Sequence, residues 1–188
     1  MSLYGKNRVS NILIYKFDLY EISDKIIEVM NMNIRKATLD DKKQIALLFS
    51  DENDYHVNLQ PDVFNNLTEN VILTKNWFEN ILRNDSRYMF VAEIKNHIVG
   101  LILFTIHQLL DDPLYKQKKW INIDELTVLK SHRGKGIGKR LLAVVNNYAK
   151  QTKAESIRLE VWENNESAIQ FYKNNKFKIK QYILWRNC

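Results

Sequence analysis

Three glycines, Gly134, Gly136 and Gly138, stand among Arg133, Lys135, Lys139 and Arg140. They follow an apolar, β-branched run at 121–129 and precede a stretch with Ile137, Leu141, Leu142 and Val145 on one helical face. A strand, a glycine turn and a helix start in that order make an anion site. Bare backbone can approach the ligand closely, and unpaired amides at the positive helix end point at it. Spacing narrows the choice of ligand. A P-loop would need glycine where Lys139 stands, and a dinucleotide fingerprint fails because Lys139 or Leu141 occupies the place of its third glycine. What remains is Arg133-x-x-Gly136-x-Gly138 after a strand. That same strand carries Asp124 and Glu125, and strict alternation lets only one of the two face a cleft.

The Arg133-x-x-Gly136-x-Gly138 pattern resembles the pyrophosphate-binding signature of the GNAT N-acetyltransferase family, which binds acetyl-CoA. A second block, residues 157–177, resembles the family's later strand-to-helix segment through Asn165, Ala168, Phe171, Tyr172 and Phe177. It departs at Lys176, where the family usually has glycine, so Asn175 is expected to supply the left-handed helix end. The resemblance covers about residues 32–185. It implies an α/β fold, a mixed central β-sheet flanked by helices on both faces, and acetyl transfer from acetyl-CoA directly to a primary amine in a ternary complex.

That chemistry needs a neutral amine, a polarised carbonyl and a proton for the departing thiolate. A lysine-like amine with a pKa near 10.4 is almost wholly protonated at pH 7, and leaving its deprotonation to solution would add about 4 to 5 kcal/mol to the barrier. A base beside the acceptor is therefore valuable. The stretch around Asp124 and Glu125 resembles strands of polyamine and related small-amine acetyltransferases, where an acidic residue contacts or deprotonates the acceptor. Glu125 is the favoured base and Asp124 its alternative.

By the same resemblance, Tyr172 protonates the thiolate and Asn165 contacts pantetheine or caps its helix. Backbone amides of Leu126, Thr127 and Val128 hold the carbonyl and pantetheine. The amides of Arg133, Gly134, Lys135, Gly136, Ile137, Gly138 and Lys139 hold the pyrophosphate. Tyr55, His56 and Asp62 fall where such proteins build the acceptor pocket.

Composition sets the frame. A chain of 188 residues with 45% hydrophobic and 27% charged residues suits one globular domain. Its longest apolar runs are far too short for a membrane span. No charged, apolar and small-residue series marks a secretion signal, and one cysteine, Cys188, leaves no internal disulfide framework. A cytoplasmic protein is expected. The four histidines lack metal-ligand spacing, so no metal is expected. The net charge of +6 is divided unevenly, with residues 38–85 acidic at −5 and residues 86–188 basic at +9. The basic part suits a polyanionic co-substrate, and the acidic part favours a small cationic acceptor, a polyamine or an aminoglycoside-like compound. A peptide amine, either an amino terminus or a lysine, is the alternative acceptor, and a non-catalytic acyl-CoA sensor is the alternative function. Scattered lysines without a reading helix or RNA-binding aromatic motif argue against nucleic acid. Family practice suggests a homodimer.

The elements that must position these residues read in the order β, two helices, three strands, helix, strand, helix, strand. The first strand falls at 32–37. Helices follow at 39–50, capped by Thr38, and at 74–82, with an irregular stretch broken by Pro61 between them. Strands at 87–93 and 97–107 flank a turn at Lys95-Asn96, and a polar loop at 108–118 leads to the strand at 121–129. A helix at 135–151, a strand at 156–161, a helix at 165–174 and a closing strand at 179–185 complete the chain. Residues 1–31 form an extension of undefined role, with a candidate strand at 12–17 and helix at 19–30; residues 32–188 form the acetyltransferase domain.

Overall fold

The computed structural model describes residues 31–66, 75–110, 113–114, 116 and 118–186. The candidate elements at 12–17 and 19–30, and Cys188, lie outside them. Five strands form one sheet in chain order: β1 (Asn33–Lys36), β2 (Arg87–Ile94), β3 (His97–Gln108), β4 (Lys119–Val128) and β5 (Ser156–Arg158). The first four pair antiparallel and β5 joins β4 in parallel, so the sheet is mixed. Helices α1 (Lys42–Leu59) and α2 (Lys75–Arg83) cover one face, where Ile45, Leu48, Phe78 and Ile81 meet Val91, Leu101 and Leu103. Helix α3 (Ile137–Thr152) covers the other, burying Ile137, Leu141, Leu142 and Val145 against Ile102, Phe104, Ile121 and Ile123. Helix α4 (Glu166–Asn174) follows β5.

Local chemistry explains most boundaries. Lys95 and Asn96 both take positive φ, 49° and 65°, as a two-residue hairpin turn requires. After β1, Thr38 opens a short 3₁₀ turn, and the Asp41 carboxylate accepts from the Thr38 backbone N–H at 2.7 Å. Asp41 is buried and also takes both arms of the Arg35 guanidinium, at 2.7 and 2.8 Å.

The irregular stretch expected after residue 50 is instead helical: α1 runs on to Leu59 and stops just before Pro61. Its second half lacks an apolar period because it meets polar partners. Glu52, Tyr55, His56 and Leu59 keep helical spacing, and all but Leu59 use side-chain contacts to do so. Leu59 is tied instead by its carbonyl, which accepts from Asn164.

Three further expectations are corrected. The strand expected at 156–161 ends at Arg158. The closing strand at 179–185 does not form: this stretch joins no ladder among the described residues, and Ile179, Tyr182, Ile183, Leu184 and Trp185 are all exposed. Alternating β-prone side chains are not enough without a neighbouring strand to pair with. The left-handed position after α4 belongs to Lys176, at φ 71°, rather than to Asn175 at −96°.

Arg35 holds the Asp41 carboxyl below its ordinary range, with the Thr38 bonds adding to the effect against burial. A depressed carboxyl contributes stability above its unfolded value, 3.8, and loses it as pH falls. Asp41→Asn should therefore lower unfolding stability at pH 7 by about 1–3 kcal/mol, with the gap to the parent closing below pH ~4. Denaturant titrations at both pH values check this.

Candidate active site

The site begins with one extra residue in β4. Phe104 pairs with Ile123 and Leu103 with Glu125, leaving Asp124 opposite nothing. Ile121 and Ile123 pack towards α3, as do Leu126 and Val128 further on. Glu125 and Thr127 therefore turn to the α1 face beside Leu103 and Leu101, and alternation breaks at Asp124. Asp124 faces the same way, since it accepts from Thr105 Oγ1 and from Asn122 Nδ2 at 2.7 Å. The expectation that only one of Asp124 and Glu125 faces the cleft is thus corrected, because a bulge suspends the rule behind it.

The bulge also marks where the sheet opens. Strand β5 pairs with β4 at Trp120, Ile121 and Asn122 only. Beyond them the β5 side of β4 carries no ladder among the described residues, so main-chain groups through Leu126, Thr127 and Val128 lie on an unpaired edge. At its end Arg133 Nε donates to the Val128 carbonyl at 2.9 Å, and the Arg133 guanidinium lies 5.4 Å from the centroid of the Tyr55 ring. Gly134 and Gly136 take φ of 76° and 81°, conformations that a side chain would strain, and Gly136 caps α3. Apart from the adjoining residues, no atom of the described residues lies within 4 Å of where a Cβ would sit on either one, so this turn is an open cradle. The first-turn amides of Ile137, Gly138 and Lys139 have no partner within their helix. Gly138 serves packing: a Cβ there would meet the Phe171 ring at 3.3 Å. A diphosphate fits the cradle in shape and charge, and an extended amide chain fits the open edge of β4.

Across the cleft, α1 supplies a second carboxylate. Thr127 Oγ1 donates to Glu52 Oε2 at 2.6 Å, and His56 Nε2 lies 3.1 Å from Glu52 Oε1. Burial opposes the charge of Glu52, yet the bonds from His56 and Thr127, with the charges of His56 and Arg133, hold its carboxyl below the ordinary range. Glu125 goes the other way: burial first, then the charges of Glu52 and Asp124, push it up to about 8. Tyr172, on α4, is pushed well above the usual phenol range by burial and by the charges of Glu125 and Glu52, so it stays a proton donor at working pH.

The structure therefore brings Glu125, Asp124, His56 and Tyr172 to one cleft. Asn165 caps α4, accepting from the Ala168 amide at 3.1 Å, and it receives the Tyr55 hydroxyl at 3.2 Å. Asp62 lies on the exposed turn after α1, apart from these contacts. His56 stacks on Phe64 with centroids 4.9 Å apart, and its buried Nδ1 has no hydrogen-bond partner among the described residues. Glu52 is the residue that sequence reasoning missed. The available signal was its spacing, one helical turn before His56, in a segment read as irregular. Among the described residues no group of three metal-binding side chains occurs, and no helix is long and apolar enough to cross a membrane.

A mixed sheet whose bulged strand β4 parts from β5 and runs into a glycine-capped helix is the arrangement that the acetyltransferase resemblance implies. Comparison with known proteins agrees. The model of the Acetyltransferase (GNAT) family matches residues 47–177. An uncharacterised N-acetyltransferase of Archaeoglobus fulgidus is 29% identical over 145 residues, which is 75% of this chain and 89% of that protein. Among solved structures, a variant of the BH1408 protein from Bacillus halodurans matches with a TM-score of 0.78 at 24% identity, covering 83% of this chain and 99% of that one. An aminoglycoside N-acetyltransferase in complex with CoA matches with a TM-score of 0.63 at 17% identity, covering 84% and 95%. The chain belongs to the GNAT acetyltransferase family, and it is an acetyl-CoA-dependent N-acetyltransferase.

The raised Glu125 carboxyl makes a stability prediction. Its folded value, about 8, lies above its unfolded value, 4.5, so its favourable contribution is complete below 4.5 and is lost as pH rises to about 8. Glu125→Gln should gain melting temperature relative to the parent across that window, with the gap levelling off above it. A constant gap from pH 5 to pH 9 would contradict the burial of this carboxyl.

Proposed function

We propose that the acceptor is a small cationic primary amine of the polyamine type, acetylated by direct attack within a ternary complex. The observation that carries this reading is the set of carboxylates on one face: Glu52 and Glu125 deep in the cleft, with Asp124 at its exposed margin. An ammonium group gains from Glu52 and Asp124, and from Glu125 as that carboxyl ionises, whereas an anionic acceptor would be repelled. The acidic 38–85 segment, which contains Glu52, adds to the same field.

Acetyl-CoA supplies the acetyl thioester; this chain's residues do the rest. The glycine cradle and the open edge of β4 align the thioester, with a strand amide near Leu126 to Val128 polarising its carbonyl. The Glu125 carboxylate accepts a proton from the acceptor's ammonium and passes it to solvent, and the freed nitrogen forms a bond to the carbonyl carbon and loses its second proton to solvent as the amide forms. As the carbon–sulfur bond breaks, the Tyr172 hydroxyl gives its proton to the sulfur and is later reprotonated from solvent. One proton is released overall for each amide formed. Tyr172 is a donor held in its protonated form by burial, which suits this role.

Thiol release from acetyl-CoA against a panel of linear diamines, polyamines, aminoglycosides and peptide amino termini tests the acceptor class. The fastest turnover should come from the linear amines. Preference for a peptide amino terminus would overturn the proposal, and acetyl-CoA binding without turnover on any amine would favour a sensor. In the same assay Tyr172→Phe should bind acetyl-CoA nearly as the parent does and turn over about 10²-fold more slowly. With Glu125 at about 8, kcat/KM should rise with pH to a plateau above that value, and Glu125→Gln should lose this dependence.

A further inference from the structure

The Glu52 carboxylate is unusual because both of its oxygens are taken by different elements. Oε2 accepts from Thr127 on β4 and Oε1 pairs with His56 on its own helix, so α1 is pinned to the substrate face of the bulged strand. Thr127 is buried, and it lies two residues beyond Glu125 on the same face. We propose that Glu52 is the positioning residue of the acceptor cleft: through Thr127 it fixes the segment of β4 that carries Glu125, and it presents a standing negative charge to the acceptor's ammonium.

This assignment rests on the reading of Glu125 as the base for a cationic amine, and it makes that base respond to substrate. In the free protein the two carboxyls are neighbours, because the Thr127 hydroxyl that holds Glu52 stands two residues beyond Glu125 on the same face of β4. Among the described residues, the charged and titratable groups that face Glu125 are Glu52 with its partner His56 from α1, Tyr172 from α4 and Asp124 on its own strand, with the charge of Arg133 acting on Glu52 from the turn. Like charges at close range keep one of the pair protonated. A bound ammonium between Glu52 and Glu125 removes that repulsion, so Glu125 ionises as the acceptor arrives. The base thus becomes available when its substrate is present, and an uncharged amine would bind without activating it.

Carbon-13 NMR titration of the glutamate side-chain carboxyls tests this directly, with the Glu125 signal assigned by its loss in Glu125→Gln. In Glu52→Gln the Glu125 midpoint should fall by about one pH unit, and KM for a cationic diamine should rise about tenfold. Glu52→Asp, which keeps the charge, should hold the midpoint near that of the parent. Glu52→Leu fills the same space without a charge and provides a second neutral variant if Glu52→Gln does not fold. An unchanged Glu125 midpoint in the neutral variants would overturn the proposal. If the midpoint falls but the pH dependence of kcat/KM does not follow, Glu52 keeps its role, and the reading of Glu125 as the base fails instead.

Discussion

One unpaired residue in β4 governs the site. Without the bulge at Asp124, Glu125 would point into the apolar layer beneath α3, among Phe104, Ile123 and Leu141, where no partner for a carboxylate exists. The extra residue reverses the alternation, so that Ile121 and Ile123 stay in the core while Glu125 and Thr127 turn to the opposite face. The ladder to β5 stops beside the same position, after Asn122, and the strand's outer edge is left open towards the glycine turn. A single irregularity therefore selects both which side chains meet the acceptor and which backbone meets the acetyl donor.

Around that strand, the electrostatics follow from burial combined with partner choice. Glu52 and Glu125 are the same residue type in one cleft. Glu52 gains hydrogen bonds from Thr127 and His56 and stays charged, while Glu125 has little to offset its desolvation and faces another carboxylate. Pairs of like groups pushed apart in this way are how a protein assigns a charge to one and a proton-exchange role to the other. Tyr172 completes the set from α4, whose start is fixed by Asn165 and, through it, by Tyr55 of α1.

Much of this was legible in the sequence, and the exceptions share a cause. The strand-turn-helix order around Gly136, the hairpin at Lys95-Asn96 and the apolar stripe of α3 are local signals, and each appears where periodicity put it. The second half of α1 was missed because its inward face is polar, so an apolar period could not reveal it; Glu52 was lost with it. The bulge cannot be read from β4 alone, since it is a relation between β3 and β4. The missing closing strand has the reverse explanation: residues 179–185 look like a strand, but a strand exists only in a ladder, and they form none with the described strands.

Amide hydrogen exchange across an acetyl-CoA titration tests the central claim most directly, because it reads the backbone that the account assigns to the donor. Protection should rise at Leu126 to Val128, on the open edge of β4, and at the glycine turn from Gly134 to Gly138. The paired residues of β2 and β3 should change little. Acetyl-CoA binding that leaves both segments as they were, or that protects a different part of the sheet, would contradict the account.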